Sequence, residues 1–301
     1  MTSLKLALSP WRARLTRDSS PTGAIPAARR DALKRWVAHA AASPTWMLAV
    51  VAIAFVLVPL GVLVAHPTFD QLRSAAQDSA VTSALLLSCV TTGISTMVVI
   101  VLGGALAYLL ARHDFRGKAL VDTLVDLPMV LPPTVMGIAL LIAFGRNGVI
   151  GRWLLEHGIS MSFTTVAVVF AQVFVALPFF VRAARAAFEG IDLRLETAAR
   201  LLGASRWRLF FKVTVPLVWP TLLAGAILAW ARCLGEFGAT IVFAGNIQGV
   251  TQTMPLAIYA ALQDNLGAAF ALSLILLGAS FAMVLTLKLV LEQNAYTNKS
   301  A

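Results

Sequence analysis

Carboxylates are scarce in this 301-residue chain: 14 Asp and Glu stand against 24 Lys and Arg, and charged residues of both signs make up only 13% of it. So little charge cannot solvate the surface of an ordinary soluble domain of this length. Cysteine is nearly absent. Cys89 and Cys233 lie in separate apolar runs and read as two small buried hydrophobes, which leaves no disulfide framework and no thiolate cluster. The four histidines, His39, His66, His113 and His157, are scattered, and no two have the spacing of a helical metal-binding pair. No glycine is followed, four residues on, by Gly-Lys-Ser or Gly-Lys-Thr, so the chain has no phosphate cradle of its own, and it has no nucleophile elbow either. Enzymatic chemistry, a metal site and a bound cofactor are all unexpected.

What is present is apolar: 59% of the residues are hydrophobic, arranged in long runs. A formal charge of +10 would suggest nucleic-acid binding in a soluble protein. Here the cations sit between apolar runs rather than among exposed aromatics, so nucleic acid is set aside. The reading is an all-α integral membrane protein in contact with the lipid bilayer, multi-pass in the plasma or inner membrane. Six apolar runs, at about 46–65, 81–111, 121–144, 163–181, 217–243 and 268–290, approach the roughly 20 residues that a helix needs to cross a hydrocarbon core. The expected domains are a basic cytoplasmic tail over 1–45, a transmembrane domain over 46–292 with a polar loop at 182–216, and a short tail over 293–301. Within the first tail RRDALKRWVAHAA has the composition of a surface helix, and the whole tail suits anionic headgroups better than it suits an organelle transit peptide. The second run is rich in Ser, Thr and Gly, which favours close helix contact.

Orientation follows from the cations, because cytoplasmic loops carry an excess of Lys and Arg. With six spans and the N-terminus inside, twenty cations fall in the inside segments and only Arg73, Arg146 and Arg152 fall outside, with Arg232 left in a span. Both termini and the 182–216 loop are therefore expected on the cytoplasmic side. The segments GRNGVIGRWLLEHGIS and AGNIQGVTQTMPLAIYAALQDNLG are expected as outside loops.

Three stretches stand out. Glu189 to Pro216 is the one long polar interruption after residue 45; it is expected to form a basic helix through ETAARLL, a reversal at Gly203 and a second short helix ending at Pro216. DLPMVLPPTVMG places Pro128, Pro132, Pro133 and Gly137 inside an apolar run. Such a break is tolerated only where it is buried in protein or lines a cavity, so Pro132, Pro133, Thr134 and Gly137 are candidates for a pathway lining or for helix packing. In LGEFGAT, Arg232 and Glu236 stand four apart within a span, able to neutralise each other as a structural pair or to act as a gate. A dianion pathway is better served by weak donors such as the hydroxyls of Thr134 and Thr240 than by a deep cationic well.

The polar stretch resembles the EAA motif of the permease subunits of ATP-binding-cassette importers. Ala198, Ala199, Gly203, Val213, Val215 and Pro216 keep its spacing, while Thr197 stands where the motif usually has Glu, with Glu196 one residue earlier. The resemblance implies that Glu196, Thr197, Ala198, Ala199, Gly203, Ala204, Ser205 and Pro216 belong to the element that docks on the ATPase. Together with LGEFGAT and TQTMPLAIY, the stretches look like the permeases of molybdate importers, a group close to the sulfate and tungstate permeases. This implies a six-span type I importer fold, a homodimer, two partner ATPase subunits that bind ATP and Mg²⁺ on the cytoplasmic side, and an extracytoplasmic oxyanion-binding protein. An ion-coupled secondary transporter, using Asp122, Asp126 or Glu236, and a membrane scaffold without transport are the alternatives.

Overall fold

The computed structural model describes residues 44–297, and every regular element among them is helical. The expected N-terminal tail lies almost wholly outside the described residues, as does the end of the C-terminal one. Helix α1 (Pro44–Ala65) has 22 residues, or about 33 Å of helix, enough for a hydrocarbon core of about 30 Å. Up to Val62 it belongs to a unit of its own.

The polar stretch after it folds into α2 (Phe69–Gln77). A reciprocal capping box starts this helix: Thr68 Oγ1 accepts from the Gln71 amide, and Gln71 Oε1 accepts from the Thr68 amide at 2.9 Å. Asp78 then caps α3 (Ser79–Arg112), whose 34 residues make it the longest of the described helices.

Helix α3 packs along α7 (Thr165–Glu189), and the reason is visible in its small residues. Ala84, Ser88, Thr91, Ser95, Val99, Gly103, Ala107 and Leu110 recur every three or four positions and form one buried face. At Gly103 a Cβ would lie 3.0 Å from Phe180 Cδ1 of α7, so the helices approach as closely as glycine permits there. Two of its polar members, Thr91 and Ser95, share a partner on α7. Gln172 of α7, 1% exposed, accepts from Ser95 Oγ at 2.8 Å and donates to Thr91 Oγ1 at 3.3 Å. Burying that amide in an apolar bundle is tolerable because both of its ends have partners. Cys233 is buried beside it, its thiol donating to the Gln172 carbonyl. Cys89, expected inside, is instead exposed: it follows buried Ser88 by one residue, about 100° round the helix from the contact face.

The third apolar run does not cross straight. It forms α4 (Lys118–Val130) and α5 (Pro133–Phe144), bent by 118° at Leu131–Pro132. Each half is about 20 Å long, too short to span alone. Five described helices are long and apolar enough to cross a membrane, or six spans if the bent pair counts as one.

Two stretches expected as loops contain helices. GRNGVIGRWLLEHGIS holds α6 (Val149–Glu156); its glycines serve close approach rather than irregular backbone, since a Cβ on Gly151 would collide with the Gly145 carbonyl at the end of α5. The cation-free stretch holds α12 (Met254–Asp264), started by Pro255 in its first turn and fixed by the Met254 amide donating to buried Ser88 Oγ of α3 at 2.7 Å. The polar loop after α7 holds α8 (Leu193–Leu201) and α9 (Arg206–Leu209).

No second short helix ends at Pro216. From α9 the chain passes through a π-turn, Phe210–Thr214, directly into α10 (Val215–Leu234), so that Arg206–Leu234 is one continuous helix. Pro216 lies in the first turn of α10, and the wider π-turn before it leaves room for its ring. The fifth run then breaks at Gly235–Phe237 before α11 (Gly238–Phe243), and α13 (Leu266–Thr297) closes the chain.

Candidate functional site: a braced knob and a broken pair of helices

At one end of the bundle, α8 and the turn after it form a knob. Asp192 caps α8, its Oδ1 accepting from the Arg194 amide at 2.9 Å. One turn on, Glu196 points inward and is 3% exposed. Its Oε1 accepts from Arg112 Nη2 at 2.7 Å and from Thr214 Oγ1 at 3.3 Å. That one carboxylate therefore ties α8 to the last residue of α3 and to the π-turn that leads into α10. The side chains of Arg112 and Glu196 are 10% and 4% exposed, so the pair is shielded from water, and removing one partner from such a pair costs about 3–5 kcal/mol.

Aromatic packing supports the same junction. Tyr108 meets Phe188 and Phe210 edge to face, with centroids 5.4 and 5.0 Å away, joining α3, α7 and the π-turn. Next to it α4 is clipped to α7 by two ion pairs, Arg182 with Asp126 and Arg185 with Asp122.

The outer side of the knob is different in kind. Helix α8 ends with the Leu202 amide donating to Ala198 O and the Ala204 amide to Ala199 O, and Gly203 takes φ +80°. A Cβ at Gly203 would touch nothing, so the left-handed backbone alone requires glycine there. Ser205 then caps α9 through the Arg208 amide. Thr197, Ala198, Gly203, Ser205 and Pro216 are exposed, and Ala199 and Ala204 are half-buried. Leu201 and Leu202 project outward at 84% and 89% exposure. The residue pattern of the motif does not single them out, although two leucines directly before a positive-φ glycine are a sequence signal for an exposed apolar tip.

A second group lies where α5 meets α11. Gly137 is buried there, and a Cβ on it would lie 2.7 Å from Val242 Cβ and 2.9 Å from the Ala239 carbonyl. Gly238 faces Pro133 in the same way, at 2.6 Å. The Pro132 to Gly137 segment thus divides: Gly137 packs, whereas Pro132, Pro133 and Thr134 are exposed.

Glu236, 1% exposed, sits at the break before α11. Its Oε1 accepts from the Ala239 amide at 2.8 Å, and Oε2 lies 2.9 Å from Arg232 Nη2 in an ion pair whose angles fall short of a hydrogen bond. Arg232 at the end of α10 and Glu236 in the break thus form an ion pair one turn apart. Thr240 is fully buried, and its hydroxyl has no hydrogen-bond partner among the described residues. No group of three or more His, Cys, Asp or Glu side chains able to hold a metal occurs among the described residues.

Residues 100–291 match the family described as binding-protein-dependent transport system inner membrane component. The chain belongs to this family. It is a multi-pass inner-membrane permease subunit of an ABC transport system, and in such systems ATP is hydrolysed by partner subunits. It is 45% identical over 202 residues to the molybdenum transport system permease protein ModB of Escherichia coli, covering 67% of this chain and 88% of that protein. To the sulfate transport system permease protein CysT of the same organism it is 35% identical over 235 residues, covering 77% and 85%. Among solved structures it is similar to a bacterial ABC transporter involved in the import of the acidic polysaccharide alginate, with TM-score 0.67 and 17% identity over 88% of this chain and 98% of that one. The fold of this permease is accordingly the type I ABC importer fold.

Proposed function

We propose that this permease is the membrane-spanning subunit of an ATP-driven molybdate importer. It works as a homodimer, with two ATPase subunits on the cytoplasmic side and an extracytoplasmic protein that delivers the oxyanion. The observation that carries the substrate is the 45% identity to a molybdenum permease along 88% of that relative's length. The excess of cations in the segments around the knob supports a cytoplasmic position for the knob and for both termini.

In this reading the ATPase holds the exposed tip from Thr197 to Ser205. When ATP binding draws the ATPases together, the tip moves with them. The Glu196 tie passes the displacement to α3, and the unbroken helix from Arg206 to Leu234 passes it to the break at Gly235. The α5–α11 contact lies beyond that break; we assign exposed Thr134 to the pathway, joined by buried Thr240 when this contact opens, while the Arg232–Glu236 pair keeps α10 and α11 in register. Mg²⁺ and ATP are bound by the partner. A secondary transporter is disfavoured because Asp122, Asp126 and Glu236 are each engaged by an arginine rather than free to exchange a proton.

The test is uptake of radiolabelled molybdate by cells expressing the permease with its ATPase and binding protein. Uptake should require the ATPase and yield to unlabelled molybdate before sulfate. The sulfate permease relative makes sulfate the second reading, and sulfate competing more strongly than molybdate would establish it. Uptake that persists without the ATPase would overturn the coupling scheme.

A further inference from the structure

We propose that the cleft between the end of α3 and the start of α9 binds the headgroup of an anionic phospholipid; this rests on the cytoplasmic placement of the knob. The cleft has a volume of about 630 Å³, and Tyr108, Leu109, His113, Arg200, Arg206 and Phe210 are among the residues lining it. Arg112, Arg182 and Arg185 each hold a carboxylate, whereas Arg200 and Arg206, like Arg194 and Arg208, have no ion pair among the described residues; of these four only Arg200 and Arg206 line the cleft, and the neighbouring Glu196 is already engaged by Arg112. Two unpaired guanidinium groups around one cleft suit a phosphate, which they can grip bidentately.

The floor of the cleft says which phosphate. Ala105 and Leu109 line it, and Leu102, three residues before Ala105, continues the same face of α3 up the span, with Leu102 57% exposed and Leu109 42% exposed. A headgroup held by the arginines would therefore have apolar helix surface leading away from it, as an acyl chain needs and an inorganic anion does not. Trp207 is 74% exposed and stacked on Phe211 with centroids 5.7 Å apart, an exposed aromatic pair of the kind enriched at membrane interfaces. A protein docking on the knob from the water side could pair with the arginines but would not reach Leu102. Basic recesses of this kind on the cytoplasmic side, where anionic lipids concentrate, match headgroup sites in charge and position.

The experiment uses the full permease with its ATPase in nanodiscs of phosphatidylcholine containing a minor fraction of phosphatidylglycerol, with bromine on the acyl chains of one lipid at a time. Trp207 quenching is read as the difference between wild type and Trp207→Phe. Brominated phosphatidylglycerol is expected to quench several-fold more than brominated phosphatidylcholine at equal fraction. The Arg206→Gln variant, which leaves the tip from Thr197 to Ser205 intact, should remove most of that preference while the ATPase stays bound. Equal quenching by the two lipids, or a preference that survives the Arg206 substitution, would overturn the site. Relief of the quenching by inorganic phosphate would make it a free-anion site instead. Loss of the ATPase in the variant would assign Arg206 to the docking surface instead. Were the ATPase to associate with neither form, the coupling scheme would fail, and the lipid preference of the permease alone would still decide the cleft.

Discussion

Arg112 and Glu196, separated by 84 residues, meet in a 2.7 Å ion pair that is nearly closed to water. The permease thus anchors its knob to a span through a contact that neither motif nor helix pattern displays. Replacing Glu196 by Ala leaves Arg112 buried without its counter-charge, which costs about 3–5 kcal/mol. The expected result is a lower melting temperature of the purified permease and an ATPase no longer stimulated by substrate-loaded binding protein. Arg112→Met combined with Glu196→Met should recover stability but not stimulation, because the apolar pair replaces the packing without the directional tie. Stimulation restored in that double variant would remove the strut role.

Gly203 is a conformational requirement, with no steric one beside it. Gly203→Val should abolish uptake, since a β-branched residue at φ +80° is strained whatever the space, at a cost of at least about 1–2 kcal/mol. Gly203→Asn, which tolerates the left-handed region, should retain a measurable part of it. Equal loss in both variants, measured as molybdate uptake at matched membrane expression, would mean that the tip needs glycine for contact with the partner.

Gly137 and Gly93 make a matched pair. A Cβ at Gly137 would press on Val242 and the Ala239 backbone, whereas one at Gly93 would meet nothing within 4 Å. Gly137→Ala should therefore destabilise by about 1–3 kcal/mol through overpacking, and Gly93→Ala should be neutral or slightly stabilising as a better helix former. Thermal unfolding in detergent reads both.

Arg232 and Glu236 separate by their responses. Arg232→Ala leaves a buried carboxylate uncompensated and should lower the melting temperature sharply; adding Glu236→Gln, which can still accept from the Ala239 amide, should restore most of it. A gate would behave otherwise, with Glu236→Gln changing uptake at unchanged stability.

Orientation is open to direct labelling. A cysteine at Leu201, introduced after replacing Cys89 and Cys233, should react with an impermeant maleimide only in inverted vesicles, and one at exposed Asn246 only in intact cells or spheroplasts. The opposite pattern would invert the topology.

Much of the packing of α3 is legible in residues alone, because Ser88, Thr91, Ser95 and Gly103 at helical spacing have one physical use in an apolar helix, which is to let another helix come near. The break at Pro132–Pro133 is equally plain, though its 118° angle is not, since proline marks where a helix stops and not where the chain goes next. Helices α6 and α12 are hidden by the glycines and amides around them. At the knob, Gly203 and its flanking alanines could be read from spacing. The inward turn of Glu196 could not, because its partners come from α3 and from the π-turn, and sequence carries no distance between them. The continuous path through Pro216 was obscured for a similar reason: a proline suggests an end unless the preceding turn is known to be wide.

That wide turn sets a phase. A π-turn carries about one residue more than an α-turn, so the short helix Arg206–Leu209 is offset by about 100° from the direction it would have if Phe210–Thr214 were ordinary helix. Deleting one residue between 210 and 214 would let the backbone relax to α-geometry while swinging Arg206 and Trp207 a quarter-turn around the axis of the span. The azimuth of the knob relative to the bundle is thus held by a single inserted position.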